Sequence, residues 1–288
     1  MFSSEWSLVL FTVLTQAAVG IVVISEFTRL LLKNSGAHLK WQAPAACALT
    51  ALGLLFSLTH LGTPLHSVFT ILNLGSSWLS REILVVGCFF AVILLLVLQR
   101  RKAPEKGATP LAIASIVVGL GAVFVMTRVY QLPTVPVWNS IATTFGFFGT
   151  MLLSGSVACG LIGSLENRSA KNAESCSSMA GVFCVSALVG LALKFIGIVL
   201  SMIALNNTDN YGMNALHMVA DKGVDGLVAW IVMVCAGIGL FSWFALKAMG
   251  TKQIKLIASP ALCALALVLA GEIIGRLMFY GTYMRIGI

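Results

Sequence analysis

The chain has 288 residues, of which 59% are hydrophobic and only 10% are charged, with a formal net charge of +8. One globular core cannot bury that much apolar surface, so the composition excludes an ordinary soluble domain and favours a protein that uses the bilayer as its apolar solvent. The basic residues lie mainly in short connecting segments, and this placement argues against a nucleic-acid-binding surface as the reason for the charge.

Eight apolar segments follow one another along the chain, and most are long enough to cross a bilayer, which takes roughly 20 helical residues. Their sequences lack the alternation of a membrane barrel, so helices are predicted. In chain order the predicted spans are 7–31, 41–60, 83–99, 110–129, 141–163, 178–205, 227–247 and 256–280. The first lacks the basic region of a cleaved signal and is expected to remain as a helix. With no internal sequence repeat, residues 1–288 are interpreted as a single all-α membrane domain.

The Lys and Arg residues between the segments predict the topology. The loops after odd-numbered segments carry Lys33, Lys40, Arg100, Arg101, Lys102, Lys106, Arg168, Lys171, Lys247, Lys252 and Lys255. The loops after even-numbered segments and the two tails carry only Arg81, Lys222 and Arg285. Because an excess of Lys and Arg marks the cytoplasmic side, both termini are predicted to face outward.

Polar residues gather near the outward ends of the predicted helices. In chain order they are His60 and Gly62, Arg81 and Glu82, Arg128 and Tyr130, Trp138, and then Glu272, Arg276 and Tyr280. Each has an ordinary structural explanation, such as a helix stop, a helix-dipole contact or a place in the aromatic belt. Glu272 and Arg276 are four residues apart, so they share a helix face and are predicted to pair.

The combination of these groups indicates more than structure. A quinol site needs a flat apolar slot, hydrogen-bond partners for two hydroxyl groups, and acceptors for the two protons released on oxidation. An imidazole, carboxylates, guanidinium groups and aromatic rings near one membrane face meet those needs. A structural ion pair between Glu272 and Arg276 is the alternative for that part of the cluster.

Three further polar sites lie inside the apolar segments. Glu26 and Arg29 are predicted to form a surface pair near the inward end of the first helix. Gln16 is predicted to hydrogen-bond between helices rather than to hold a ligand. Lys194 lies within the sixth segment, and the sequence does not identify its partner.

The sequence gives no support for a bound metal centre in this chain. None of its four histidines falls in the middle of a predicted span, so two opposed axial ligands for a b-type haem are not expected. Its seven cysteines form no CxxC motif, and no iron–sulfur cluster or other metal site is predicted. Electrons taken from a quinol would therefore have to leave to a partner.

Short motifs in sequence order carry a family resemblance. They are FTV at Phe11–Val13 with Gln16, HLGTP at His60–Pro64, LSREI at Leu79–Ile83, RVY at Arg128–Tyr130, VPVW at Val135–Trp138, GEIIGR at Gly271–Arg276 and FYG at Phe279–Gly281. Together they resemble the membrane-anchor subunit of the bacterial dimethyl sulfoxide reductase family. The sequence departs from that pattern at three positions: Thr63 stands where the family has Ser, Arg81 where it has Asn, and Asn139 where it has Tyr.

The resemblance implies an eight-helix anchor in the bacterial cytoplasmic (inner) membrane with both termini periplasmic. It implies a heterotrimer with a molybdopterin catalytic subunit and a four-cluster iron–sulfur subunit, to which electrons from menaquinol pass. It also ties His60 and Glu82 to quinol binding, and we expect these two residues to accept the protons released on oxidation. The remaining residues expected around the bound menaquinol are Gln16, Gly62, Arg128, Tyr130, Trp138, Glu272, Arg276 and Tyr280.

Three alternatives stay open at this point. The first is an anchor for a related polysulfide or tetrathionate reductase, since the terminal acceptor is chosen by another subunit. A purely structural anchor without quinol contact is the second alternative. A secondary transporter is the third, although such proteins tend to have repeated halves and polar groups at the membrane midplane.

Overall fold

The computed structural model describes residues 6–32, 39–59, 73–102, 109–168, 173–206 and 224–282, which form helices joined by short turns and contain no strand. The helices are α1 (Trp6–Leu31), α2 (Gln42–Thr59), α3 (Trp78–Lys102), α4 (Thr109–Tyr130), α5 (Ile141–Glu166), α6 (Ala173–Asn206), α7 (Val224–Thr251) and α8 (Ala258–Gly281). A 3-10 turn, Ile254–Ile257, precedes α8. All eight helices are long and apolar enough to span a membrane, so the predicted all-α, eight-helix class is confirmed.

Two helices begin earlier than hydropathy predicts. The third was expected from residue 83 and begins at Trp78, and the sixth was expected from residue 178 and begins at Ala173. In both cases the extra turns are polar, and a search for apolar runs leaves them out. The shift matters for Glu82, which lies inside the second turn of α3 rather than before the helix.

The helices pack as two rings of four. In the first half of the sequence α1 contacts α2, α2 contacts α3, α3 contacts α4, and α4 returns to α1. The second half repeats this order, with α5 to α6, α6 to α7, α7 to α8, and α8 back to α5. The sequence shows no repeat, but the helix packing does. We call these rings the first and second half-bundles.

Helices α1 and α5 form the seam between the half-bundles and are the most buried of the eight. Glycines allow their backbones to touch, since a methyl group added at Gly20 would overlap the carbonyl oxygen of Met151. Gly155 faces Gly20 across the same contact. Small residues that bring helix backbones together are the usual means of helix association in lipid, where the hydrophobic effect contributes little.

An even number of spans leaves the start of α1 and the end of α8 on one face, which we call the terminal face. The ends of α4 and α8 meet there, and the hydroxyl groups of Tyr130 and Tyr280 lie 2.8 Å apart at this contact. The other face holds the end of α1 and the start of α2. One continuous apolar core receives side chains from all eight helices. That residues 1–288 form a single domain stays a prediction.

The face opposite the terminal face corrects one expectation. Glu26 was predicted to form a surface pair with Arg29, but its side chain is only 1% exposed. Arg100 of α3 holds it with two hydrogen bonds, Nη1 to Oε1 at 2.7 Å and Nη2 to Oε2 at 2.5 Å. Arg29 is a secondary partner at 3.7 Å and donates to the carbonyl oxygen of Leu39. Helix spacing identified the neighbour on α1 and missed the stronger partner on another helix.

Candidate functional site

The turn between α4 and α5 is held rigidly at the terminal face. Ser140 caps α5 by accepting a hydrogen bond from the backbone N–H of Ala142, as a serine in that position commonly does. Gln131 donates from Nε2 to the carbonyl oxygen of Ser140 at 2.9 Å and to Oγ1 of Thr144 at 3.1 Å. Thr143 donates to the carbonyl oxygen of Trp138 at 2.8 Å. These bonds fix the position of the Trp138 indole.

Five aromatic rings pack together beside this turn, and we call them the aromatic cluster: Tyr130, Trp138, Phe147, Phe279 and Tyr280. Trp138 stacks on Phe279 with centroids 5.0 Å apart and planes 14° apart, and its indole N–H donates to the backbone carbonyl of Phe279 at 2.9 Å. The Tyr and Trp rings are amphipathic and suit the polar end of an apolar bundle. The predicted residues Tyr130, Trp138 and Tyr280 are therefore brought together.

Glu82 lies on the α3 side of the aromatic cluster. Its carboxylate is 4% exposed and falls within electrostatic range of the hydroxyl groups of Tyr130 and Tyr280. Within the described residues, its Oε1 atom has no hydrogen-bond partner. A buried polar atom without a partner costs free energy, roughly 1–3 kcal/mol, and such atoms in native proteins call for an explanation.

The neighbouring arginines point away from that carboxylate. Arg81 donates to the carbonyl oxygens of Leu74 and Gly75 at 2.8 and 2.7 Å, and its guanidinium lies 4.3 Å from the Trp78 ring centre. Arg128 approaches the same ring at 5.2 Å and donates to Oε1 of Gln131 at 2.9 Å. The departure from the family pattern at position 81 thus does not place a salt bridge on Glu82.

Glu272 has a different partner from the predicted one. Its Oε2 atom accepts from Nζ of Lys194 at 2.6 Å and from Oγ1 of Thr150 at 2.5 Å, and Lys194 also donates to Thr150 at 2.7 Å. Among the described residues Glu272 makes no ion pair with Arg276, so the predicted pairing is wrong. Glu272 and Arg276 share a helix face, but the Glu272 carboxylate is bonded by Lys194, which extends from α6.

Arg276 turns towards α1 instead. Its Nη2 atom donates to Oε1 of Gln16 at 2.9 Å, and its guanidinium carbon lies 3.8 Å from the centre of the Phe147 ring. The interhelical role predicted for Gln16 is what its geometry shows, and the bond joins the two half-bundles. A cation held over an aromatic face in an apolar site is stabilised by about 2 kcal/mol or more.

The predicted site residues therefore form two groups. One group lies at the terminal face, where α3 begins and where α4 and α8 end: Glu82, Arg128, Tyr130 and Tyr280. Glu272 and Arg276 line a cavity of about 230 Å³ inside the second half-bundle, and Glu82 is not among its lining residues. His60 and Gly62 lie outside the described residues. Phe279 lines the cavity and belongs to the aromatic cluster, so that cluster lies between the two groups.

Sequence reasoning missed part of this arrangement. Lys194 stood out as an ionisable residue within a span, and its partner on α8 was not identifiable from the sequence. Thr150 gave no signal, since a threonine in an apolar helix usually bonds its own backbone, as Thr150 also does to Gly146. Trp230 gave none either, although it lines the cavity and lies 5.4 Å from Nζ of Lys194.

Residues 2–282 match the family described as DMSO reductase anchor subunit (DmsC). The protein is 33% identical, over 294 aligned positions, to the YnfH chain of an anaerobic dimethyl sulfoxide reductase of Escherichia coli, with 98% of this sequence and 96% of the relative covered. It is 33% identical to the C subunit of the anaerobic dimethyl sulfoxide reductase of the same bacterium and 28% identical to the C subunit of the Haemophilus influenzae enzyme, with the same coverage.

Proposed function

The chain belongs to the DMSO reductase anchor subunit family, and on that premise we propose that it oxidises menaquinol at the terminal face and passes the electrons to an iron–sulfur partner. It is a multi-pass protein of the bacterial inner membrane, and the family is a membrane anchor that serves anaerobic electron transport. The proposal adds three points: the terminal face is periplasmic, the substrate is menaquinol, and the partners are a four-cluster iron–sulfur subunit and a molybdopterin catalytic subunit.

The observation that carries the proposal is the burial of Glu82 with one carboxylate oxygen, Oε1, that lacks a hydrogen-bond partner among the described residues. The carboxylate lies near the terminal end of α3, and two tyrosine hydroxyl groups lie within electrostatic range. A carboxylate with an unused acceptor beside an apolar, aromatic wall suits a group that accepts a hydroxyl proton. A purely structural carboxylate is expected to have both oxygens bonded, as those of Glu26 are by Arg100.

The proposed chemistry releases two electrons and two protons from each menaquinol. Glu82 accepts one proton and His60 the other, and both protons leave at the terminal face. Tyr130, Tyr280 and Trp138 hold the ring system, and Arg128 keeps the neighbouring end of α4 polar through Gln131. Because electrons and protons leave on the same side, this step does not itself charge the membrane.

The residues present fit a quinol on physical grounds. The aromatic cluster supplies an apolar wall near Glu82, and Glu82 supplies an acceptor for a hydroxyl group. Membership of the DMSO reductase anchor family favours quinol oxidation over the secondary transporter alternative. The related polysulfide or tetrathionate anchors would use the same quinol chemistry, because the terminal acceptor is selected by the catalytic subunit.

The decisive experiment is the Glu82→Gln variant in the intact complex. We expect turnover with menadiol as electron donor and dimethyl sulfoxide as acceptor to fall at least about 100-fold, since loss of a positioned proton acceptor typically costs 10²–10⁴ in rate. Turnover with a reduced viologen, which delivers electrons beyond the anchor, should not change. Retention of menadiol turnover in Glu82→Gln would contradict the assignment.

A matched control is Glu166→Gln at the opposite face. Glu166 accepts from the backbone N–H groups of Lys40 and Trp41, and a glutamine oxygen retains an acceptor there. This variant should oxidise menadiol normally. Extraction of the purified complex should also recover menaquinone, and a complex that contains none would favour the purely structural anchor.

A further inference from the structure

The second half-bundle contains a partly open cavity that the proposed chemistry at Glu82 does not use. It has a volume of about 230 Å³ and is lined by side chains of α5, α6, α7 and α8, together with Val137 of the α4–α5 turn. Thr282 and Ala142 line it at the terminal end, and Glu272 lines it about 15 Å deeper, counting ten residues of α8 at 1.5 Å each. We call it the α5–α8 cavity.

Its deep end is polar and only partly satisfied. Lys194 and Thr150 both bond Oε2 of Glu272, whereas Oε1 of the same carboxylate has no hydrogen-bond partner within the described residues. The Glu272 side chain is 2% exposed. A buried carboxylate with one oxygen bonded twice and the other not at all has an acceptor available for a ligand that enters the cavity.

A hydrogen-bond donor lies in the wall of the same cavity. Trp230 of α7 lines the cavity, and its buried Nε1 atom has no acceptor among the residues the structure describes. An indole N–H can only donate, so it complements a carbonyl or hydroxyl oxygen. The cavity wall therefore holds one acceptor and one donor that are unpaired among the described residues, from the neighbouring helices α8 and α7.

The walls are apolar and aromatic. Phe147 and Phe279 lie on one side, and Ile198, Met202 and Leu227 lie on the others. The Arg276 guanidinium donates a hydrogen bond to Gln16 and lies over the face of Phe147. The Lys194 ammonium forms an ion pair with Glu272. No unpaired cation among the lining residues is thus left to attract a phosphate, which argues for a neutral ring over a phospholipid headgroup.

We propose that the α5–α8 cavity is a second binding site for a quinone or quinol headgroup, distinct from the site at Glu82. The inference rests on the proposed function, in that the protein handles quinol. The cavity volume of 230 Å³ is below the range of about 300–1,000 Å³ that is typical of pockets for drug-sized ligands. We therefore expect it to hold only the two-ring headgroup, which is smaller than such ligands, with the tail outside. Glu272 accepts from its hydroxyl group and Trp230 donates to an oxygen.

A glycine gives a way to close this cavity without disturbing its polar end. Gly146 lines it, and a methyl group added there would meet no atom within 4 Å. Gly146→Leu fills the space while favouring the helix, because leucine has the higher helix propensity. Gly239→Leu is the matched control, since Gly239 is an exposed residue of α7 that also has nothing within 4 Å.

The test uses the intact complex in nanodiscs of phosphatidylethanolamine and phosphatidylglycerol, prepared from cells that make no menaquinone. A photoreactive azido-naphthoquinone is crosslinked, and the labelled peptides are mapped by mass spectrometry. Label is expected on 198–202 and 227–230, and Gly146→Leu should reduce it at least about tenfold because leucine occupies the volume of the ring. Gly239→Leu should leave it unchanged.

The outcomes separate this site from the one at Glu82. Loss of label from the cavity peptides in Gly146→Leu, with menadiol turnover retained, supports a second site. No label on those peptides in the unaltered complex overturns it, whatever Glu82→Gln does to turnover. If native mass spectrometry of the quinone-containing complex finds a phospholipid that Gly146→Leu displaces, the cavity holds lipid and the quinone proposal is likewise wrong.

Discussion

The two half-bundles share a packing order and differ in how they treat a buried carboxylate. Glu82 of the first lies four residues into α3, about 6 Å from its end, and has an oxygen without a partner among the described residues. Glu272 of the second lies nine residues before the end of α8, about 14 Å deep, and is paired with Lys194. Each carboxylate thus has one oxygen without a partner among the described residues, and the two differ in depth and in the Lys194 partner that only Glu272 has.

The contact between the half-bundles gives the largest expected effect. Gly20→Val places a branched side chain where even a methyl group overlaps the carbonyl oxygen of Met151. Because the obstacle is backbone, α1 and α5 must separate, and overpacking of this kind costs about 3 kcal/mol or more. We expect little assembled protein, measured as the folded fraction in size-exclusion chromatography after detergent extraction.

The control for that change is Gly87→Val, on α3. Gly87 is exposed, and an added methyl group there meets nothing within 4 Å. A normal yield from Gly87→Val with a collapsed yield from Gly20→Val would attribute the loss to the seam. Equal yields would mean that the half-bundles do not depend on this contact.

The ion pair of the second half-bundle comes next. Lys194→Met removes the cation and leaves the Glu272 carboxylate buried in an apolar site, with an expected loss of about 3–5 kcal/mol in the free energy of unfolding. The double variant Lys194→Met with Glu272→Gln should recover part of that loss, since no isolated charge remains. Thermal unfolding in detergent measures both, and strictly additive losses would argue against direct coupling.

The ion pair at the opposite face should have a smaller effect. Arg100→Ala removes two hydrogen bonds from Glu26 but leaves Arg29 at 3.7 Å, so we expect a loss of about 2 kcal/mol. Arg101→Ala, at the exposed neighbouring position, is expected to change little. Menadiol turnover should survive both changes, because neither residue is near the terminal face; a loss of turnover in Arg100→Ala alone would link the two faces.

The sequence predicted the helices well and their partners poorly. Hydropathy located all eight spans because each must satisfy its own backbone in lipid, which is a local requirement. Pairing is not local: residues four apart share a face, but the spacing does not say which helix that face meets. Glu272 and Glu26 were both assigned a neighbour on their own helix, and each is held more strongly by a residue from another helix, Lys194 or Arg100.

The candidate site shows the same limit. The motifs identified Glu82, Tyr130, Trp138 and Tyr280, whose positions near helix ends follow from the topology. They did not show that Glu272 and Arg276 face a separate cavity, because that depends on the ring formed by α5–α8. Gly146 lines the cavity and leaves open space beside it, which the pattern of apolar residues does not reveal.

The smallest expected effect concerns the hydroxyl pair that joins the half-bundles at the terminal face. Tyr130 belongs to α4 and Tyr280 to α8, and their oxygens are 2.8 Å apart with both side chains buried. Tyr280→Phe removes one partner, and we expect a loss of about 1 kcal/mol in the free energy of unfolding, the usual net value of such a bond. Tyr130→Phe should cost a similar amount.

The double variant Tyr130→Phe with Tyr280→Phe makes this small effect interpretable. If the hydroxyl groups serve only each other, the double loss should not exceed a single one, because no donor or acceptor is then left without a partner. A double loss equal to the sum of the two would mean that each hydroxyl has its own second partner, as Tyr280 has in the Thr12 side chain of α1. Thermal unfolding of the four proteins distinguishes the cases, and menadiol turnover measured in parallel tests whether that second partner belongs to the quinol site.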